Sequence, residues 1–376
     1  MHDLVLTGGR VLDPSSGLDS VTDVAFGGGR LTAIGTGLSG AARQDVTGCL
    51  VLPGLIDLHT HVYSGGTALG VAPDAYARKT AVTTCVDTGS AGPGNFEGFR
   101  DHVIAAAQVR ILAYLHISFA GIYAFSHRVM VGESGDLRLM APRDAVEVAR
   151  ANPDDIIGIK VRVGRIAGGA SGLAPLDIAL EVADRVGLPL MAHIDEPPPS
   201  YDQVVERLRR GDVLTYCYRP FPNAPIHGDG RVHDAVRAAR GRGVLFDIGH
   251  GKGSFSWPVA RAMAAAGFWP DVISSDVHTL CIDGPAYDLL TTMTKFLKLG
   301  MGLPEIIEAT TKAPAKAVRR PDLGGLTPGG LGEASIVRLV ETEIALSDVE
   351  GEVVHHDRAF QAVGTVISGR WVAASA

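Results

Sequence analysis

Paired cysteines, an excess of basic charge and long apolar runs are all missing from this sequence, and each absence removes a class of protein. The four cysteines, Cys49, Cys85, Cys217 and Cys281, form no CxxC pair. Neither a disulfide framework nor a thiolate zinc site is expected, and the four are read as reduced, buried thiols. With a net charge of -7 and a pI near 6.0, the chain has no basic field for a phosphate backbone or an anionic lipid surface. No nucleic acid and no membrane are therefore expected as partners. No apolar run is long enough to span a bilayer, and the opening MHDLVLTGG lacks the basic-then-apolar pattern of a leader. A cytoplasmic location is expected on those grounds. Internal repeats, coiled-coil heptads and low-complexity stretches are missing too.

What is present is a globular composition, 46% hydrophobic and 20% charged. At 376 residues the chain exceeds what one core usually organises, so a large unit with a smaller companion is expected. Residues 1–51 are rich in glycine and β-branched residues, in short runs such as VLTGGRVLD and QDVTGCLVL, which read as strands. GGGR at 27–30 sits between two such runs with no helix after it and reads as a hairpin turn rather than a phosphate loop. From residue 52 the texture changes. Eight strand-like runs, LIDLH, TTCVD, ILAYLHI, IIGIKVRV, PLMAHI, DVLTYCY, VLFDIG and DVISSD, alternate with helical patterns such as PLDIALEVADRVG and WPVARAMAAAG. That count is expected of a (β/α)8 TIM-type barrel of the α/β class. After it, GGLTPGGLGEASIVRLV and HHDRAFQAVGTVISGRWV return to strand texture. The expected organisation is a barrel over 52–322 and a small β-sandwich built from both chain ends, 1–51 and 323–376.

The first barrel run continues as LPGLIDLHTH, residues 52–61. Strand parity puts Asp57, His59 and His61 on one face, at the carboxyl end of the strand, where barrel active sites lie. Two imidazoles there can hold a divalent metal. An HxH triplet also arises by chance in a chain with 13 histidines, so its weight comes from its company. Lys160 sits inside IIGIKVRV, His193 ends PLMAHI, and DVISSDVH offers Asp276 and His278. A charge within an apolar strand needs a partner. For Lys160 this is either an ion pair with Asp57 or Asp276, or conversion of its amine by CO2 into a carbamate that bridges two metals. Arg162, two residues on, points into the same mouth, either to grip a substrate carboxylate or to pair with Asp195 or Glu196. His250 in FDIGHGKG and His278 are candidates for binding substrate, with Tyr123 or Tyr218 shaping the pocket. GHGKGS lacks the spacing of a phosphate loop.

PGLIDLHTH, GIKVR, MAH and SSDVH together resemble the amidohydrolase superfamily, and most nearly its dihydroorotase-like, deacetylase-type metallohydrolases. FDIGHG, GSFS and EATTKAPA fit the same pattern, and the resemblance covers nearly the whole chain. It implies that His59 and His61 bind a first metal, that carboxylated Lys160 bridges to a second, that His193 serves the second, and that Asp276 binds the first and handles protons as the catalytic residue. It implies Zn2+, one or two per chain, a small-molecule substrate and a homo-oligomer. The reaction expected is hydrolysis of an amide, cyclic amide or ester, deacetylase-like, with dihydroorotase, hydantoinase or deaminase chemistry as the alternative. One element departs: where the pattern has a histidine at the end of the sixth strand, DVLTYCY has Tyr216. Tyr216 is expected either to ligate as phenolate or to turn away and donate to the substrate carbonyl. Relatives that lost their metals and serve in assemblies leave a non-catalytic role as a third reading.

Overall fold

The computed structural model describes residues 2–375. Strands His2–Thr7, Asp23–Gly27, Arg30–Gly35 and Gly40–Asp45 form one sheet, and Arg10–Asp13, Leu18–Val21, Leu50–Leu52, Ala334–Ser347, Val353–Ile367 and Arg370–Ala373 form another. Leu4, Leu6, Val24 and Phe26 from the first share a core with Val11, Val51, Ile336 and Val366 from the second. The two sheets thus face one another as a sandwich, and the chain's two ends meet in it. Gly27 pairs with Arg30 across the GGGR turn, the hairpin expected of that segment. The long hairpin of Ala334–Ser347 and Val353–Ile367 outgrows the sandwich, for part of it lies on the helix Leu289–Leu299, where the Phe360 amide donates to Thr294 Oγ1 at 3.2 Å.

Seven parallel strands follow in chain order around one sheet: Leu55–Thr60, Val82–Thr88, Arg110–His116, Ile156–Val163, Leu190–Ile194, Val213–Thr215 and Leu245–Asp247. The first and fourth are buried along their whole length, as parallel strands are when helices cover one face and the barrel core the other. The helices end where the sequence signals a stop. Ala174–Val186 starts with Pro175 in its first turn and ends on Gly187, whose φ of 70° closes the helix in the left-handed region. Ile56, Val86, Leu112, Met191 and Val272 fill the barrel interior, leaving the carboxyl ends of the strands to form a mouth.

The eighth expected strand, DVISSD, is not a regular strand. Val272 bridges Asp247 of the seventh strand and Val277 bridges Thr60 of the first, so the barrel closes through isolated bridges rather than a continuous ladder. The Asp276 amide donates to His59 O at 2.7 Å, and the His61 amide donates to Val277 O at 2.9 Å. The pleat fails there because Asp276 has a φ of 50°, outside the extended region. Among the described residues no single helix is long and apolar enough to cross a membrane.

Candidate active site

The first strand delivers both histidines to the mouth, but not by simple alternation. Its register against the second strand shifts between Asp57 and Thr60, and the irregularity separates Asp57 from the histidines. Asp57 does not share their face. Its carboxylate accepts from Tyr76 (2.6 Å), from the Ser275 amide (2.9 Å) and from Ser275 Oγ (2.5 Å), tying the first helix and the closing segment to the strand. His59 and His61 instead converge on Asp276. Their Nε2 atoms stand 3.3 and 3.2 Å from Asp276 Oδ1, and the ligand atoms of all three residues lie within 4.8 Å of one another.

The atoms behind each imidazole fix its orientation. Thr215 Oγ1 donates its proton to Asp247 (2.8 Å) and therefore accepts from His59 Nδ1 (2.9 Å), which leaves a lone pair on Nε2. Ser90 Oγ lies 2.9 Å from His61 Nδ1. Burial holds the His59 and His193 imidazoles well below their usual pKa, so they are neutral, the form that binds metals. His59 Nε2, Asp276 Oδ1 and both ring nitrogens of His193 are buried with no hydrogen-bond partner among the described residues. Buried polar atoms are seldom left so. Neutral imidazoles and a carboxylate, with unspent lone pairs facing one another, are a donor set that fits a divalent cation.

Lys160 is completely buried. It pairs with neither Asp57 nor Asp276, and its only polar contact among the described residues is to Met191 Sδ at 3.3 Å. Burial brings its pKa down to about 7, against the pull of Asp276 and Asp247. Much of it is thus neutral amine near neutrality, and neutral amine is the species that reacts with CO2. The Tyr216 hydroxyl donates to Asp276 Oδ2 at 2.8 Å, a use anticipated by neither sequence expectation. Its ring stacks on His59 at 5.5 Å and meets His193 edge-on at 4.6 Å. Tyr216 and Asp276 both have positive φ, 73° and 50°, a conformation unusual for side chains other than glycine, asparagine and aspartate. Two glycines of FDIGHG make room for them. A Cβ at Gly249 would fall 2.8 Å from the Tyr216 ring, and one at Gly251 would fall 2.2 Å from Asp276 Oδ2.

His59, His61, Lys160, Arg162, His193, Tyr216, Asp276 and His278 line one cavity of about 210 Å³, with Phe125, Met130, Ile166 and Arg219 among its other walls. Several expectations need correction. Arg162 pairs with neither Asp195 nor Glu196. Its Nε stands 3.3 Å from Oε1 of Glu133, which also faces His116 Nε2 at 3.2 Å. Burial works against ionisation of Glu133, yet Arg162, and then His116, bring its pKa down to about 2. His250 does not reach the cavity. Its Nε2 is 2.5 Å from Lys295 Nζ and its ring stacks on Phe255, so it braces the loop behind Asp276. Tyr218 is buried elsewhere, donating to Phe268 O at 2.7 Å, and Tyr123 lies exposed outside the lining. Phe125, under the Arg162 guanidinium at 4.8 Å, takes the place expected of a tyrosine. GHGKGS is a loop after the seventh strand, with no helix until Trp257.

A family model described as "Amidohydrolase family" matches residues 50–372. A deacetylase of Agrobacterium fabrum is 35% identical over 360 residues, covering 95% of this chain and 88% of the relative. Among solved structures, one of a dihydroorotase superposes with a TM-score of 0.93 at 33% identity over the whole of both chains. One of an adenine deaminase does so with a TM-score of 0.91 at 30% identity, over 99% of this chain and 100% of its own.

Proposed function

The chain belongs to the amidohydrolase family, a family of hydrolases acting on C–N bonds, and from that premise we propose that it removes an acyl group from a small substrate bearing a carboxylate, with Zn2+ as its metal. The observation that carries the proposal is the set of unpartnered donors, His59 Nε2, His193 Nδ1 and Nε2, and Asp276 Oδ1, at the floor of a cavity whose wall holds Arg162 and Arg219. His59, His61 and Asp276 would hold one cation, while His193 and Lys160, as its carbamate, would serve a second. A divalent cation held there supplies an acidified water and a charge that polarises an acyl oxygen. Asp276 then takes the proton of the attacking water and delivers it to the leaving nitrogen or oxygen. His278 and Arg162, on the same wall, orient the substrate.

The name of the deacetylase relative favours an acyl group over a ring. The two solved structures named for a dihydroorotase and an adenine deaminase keep cyclic-amide hydrolysis and deamination as a second reading. A screen of zinc-loaded protein over N-acyl amino acids, O-acyl hydroxy acids, cyclic ureides and aminopurines separates them. Turnover of acyl acids alone supports the proposal, and turnover of ureides or purines alone replaces it. Chelation should abolish turnover and added Zn2+ restore it; undiminished activity after exhaustive chelation would count against the metal.

Tyr216 bears on how many cations the centre holds. A phenol must lose its proton to ligate well, and here burial, reinforced by Asp276, pushes its pKa well above the usual value. With its hydroxyl committed to Asp276, the position served by His193 and Lys160 lacks the usual sixth-strand imidazole. We therefore expect one tight and one weak cation per chain, with Tyr216→His tightening the weak site. Metal content after dialysis against a mild chelator reads this directly. Two equally tight cations in the wild type, both weakened in Tyr216→Phe, would make the phenolate a ligand.

A further inference from the structure

We propose that Arg219 is the carboxylate anchor of this cavity, binding one negatively charged group of a small ligand whose remaining body is apolar. The inference deepens the acyl-hydrolase reading by naming the residue that selects an acidic substrate, and it rests on that reading only for the identity of the ligand. Arg219 follows the sixth strand, where a turn closed by its amide on Tyr216 O at 3.2 Å carries it into the cavity lining. It is 6% exposed. Its Nη1 donates to the backbone oxygen of Ile194, while its Nε is buried with no partner. It enters no ion pair among the described residues, in contrast to Arg162, which has Glu133. The carboxylate acting on it most strongly is Asp195, but the two oxygens of Asp195 are taken by the amides of Ile166 (2.9 Å) and Ala167 (2.8 Å).

A buried guanidinium whose nearest carboxylate, Asp195, makes no direct ion pair with it is incompletely compensated, and a carboxylate presented to its unpaired Nε edge adds charge-assisted hydrogen bonds that Asp195 does not supply. Arg162 has already been neutralised by a fixed acid, so it offers a shaped wall more than a free charge. The rest of the lining limits what accompanies the anion. Phe125, Met130 and Ile166 favour an apolar body, and about 210 Å³ is below the usual range for drug-sized ligands.

The test compares benzoate with benzamide, two probes of the same shape that differ in charge, by calorimetric titration of the zinc-loaded protein. Wild type should bind benzoate about 10-fold or more tighter than benzamide, as expected of a charge-assisted pair. Arg219→Gln should remove that preference, and Arg219→Lys should keep part of it. Circular dichroism establishes that each variant is folded, and the lysine variant keeps the test decisive if the glutamine variant is not. Equal binding of both probes in wild type, or a preference that survives in Arg219→Gln, would overturn the assignment. A carboxylate bound only through the metal gives that second result. Acyl hydrolysis measured on the same preparations keeps the two claims apart. Arg219-dependent benzoate binding without acyl turnover would leave the anchor and remove the hydrolase reading, whereas turnover of neutral acyl amides with a KM indifferent to Arg219→Gln would do the reverse.

Discussion

Asp276→Asn should leave a folded protein whose kcat is lower by about 1,000-fold or more. The fold should survive because asparagine is nearly isosteric and shares the tolerance of aspartate for the left-handed backbone, here a φ of 50°. An amide oxygen can still accept the Tyr216 hydroxyl that Asp276 Oδ2 receives at 2.8 Å. What the amide cannot do is take a proton from water and hand it on, and it is a poorer ligand beside His59 and His61. The loss should appear in kcat at saturating substrate, with a circular dichroism spectrum unchanged. A variant within tenfold of wild type in kcat would reduce Asp276 to a structural group holding the closing segment.

That expectation depends on features that differ in how openly the sequence displays them. The barrel strands were legible because burial on both faces leaves uninterrupted β-branched runs, as in Ile156–Val163. Ligand-type side chains at their ends were legible because a histidine, lysine or aspartate in such a run has no other ready explanation. Strand parity was a good guide in Ile156–Val163, where Lys160 and Arg162 both line the cavity. It failed in the first strand, where the register shift between Asp57 and Thr60 sends Asp57 to Tyr76 and Ser275. No local pattern announces such a shift, because it depends on the neighbouring strand. Glu133 was missed for a related reason. Its partners, His116 and Arg162, are distant in the chain, and a glutamate in a long loop looks like an ordinary solvated charge. Arg219 lies beyond a turn where parity no longer applies. His250 reads as a site residue from its neighbours in FDIGHG, but only the fold reveals that Lys295 occupies its Nε2.

Lys160 combines a legible anomaly with a structural cost, which makes its replacement the sharper experiment. A wholly buried amine whose only polar contact among the described residues is a thioether sulfur at 3.3 Å contributes little to the fold, and removing an unpaired buried polar group is seldom destabilising. Lys160→Met should therefore raise the Tm of the metal-free protein, or leave it unchanged, while activity falls by about 100-fold or more, on the scale reported for lost metal-centre groups. Lys160→Ala should lose activity to the same degree and bind the second cation more weakly. It also vacates the space of the side chain next to His193. Acetate or formate supplied in excess can occupy that space and present the two oxygens a carbamate would have offered, so partial recovery of activity in Lys160→Ala, and none in Lys160→Met, is expected. A second readout is independent of turnover: 13C-labelled bicarbonate should give a carbamate carbon resonance in wild type that is absent from both variants. A fully metallated, normally active Lys160→Ala would show that the lysine bridges nothing. A large fall in the Tm of the metal-free Lys160→Met protein would show that the amine serves the fold, contrary to its lack of partners. Stability gained and activity lost at one residue is the pattern expected where a group is retained for chemistry at the expense of packing.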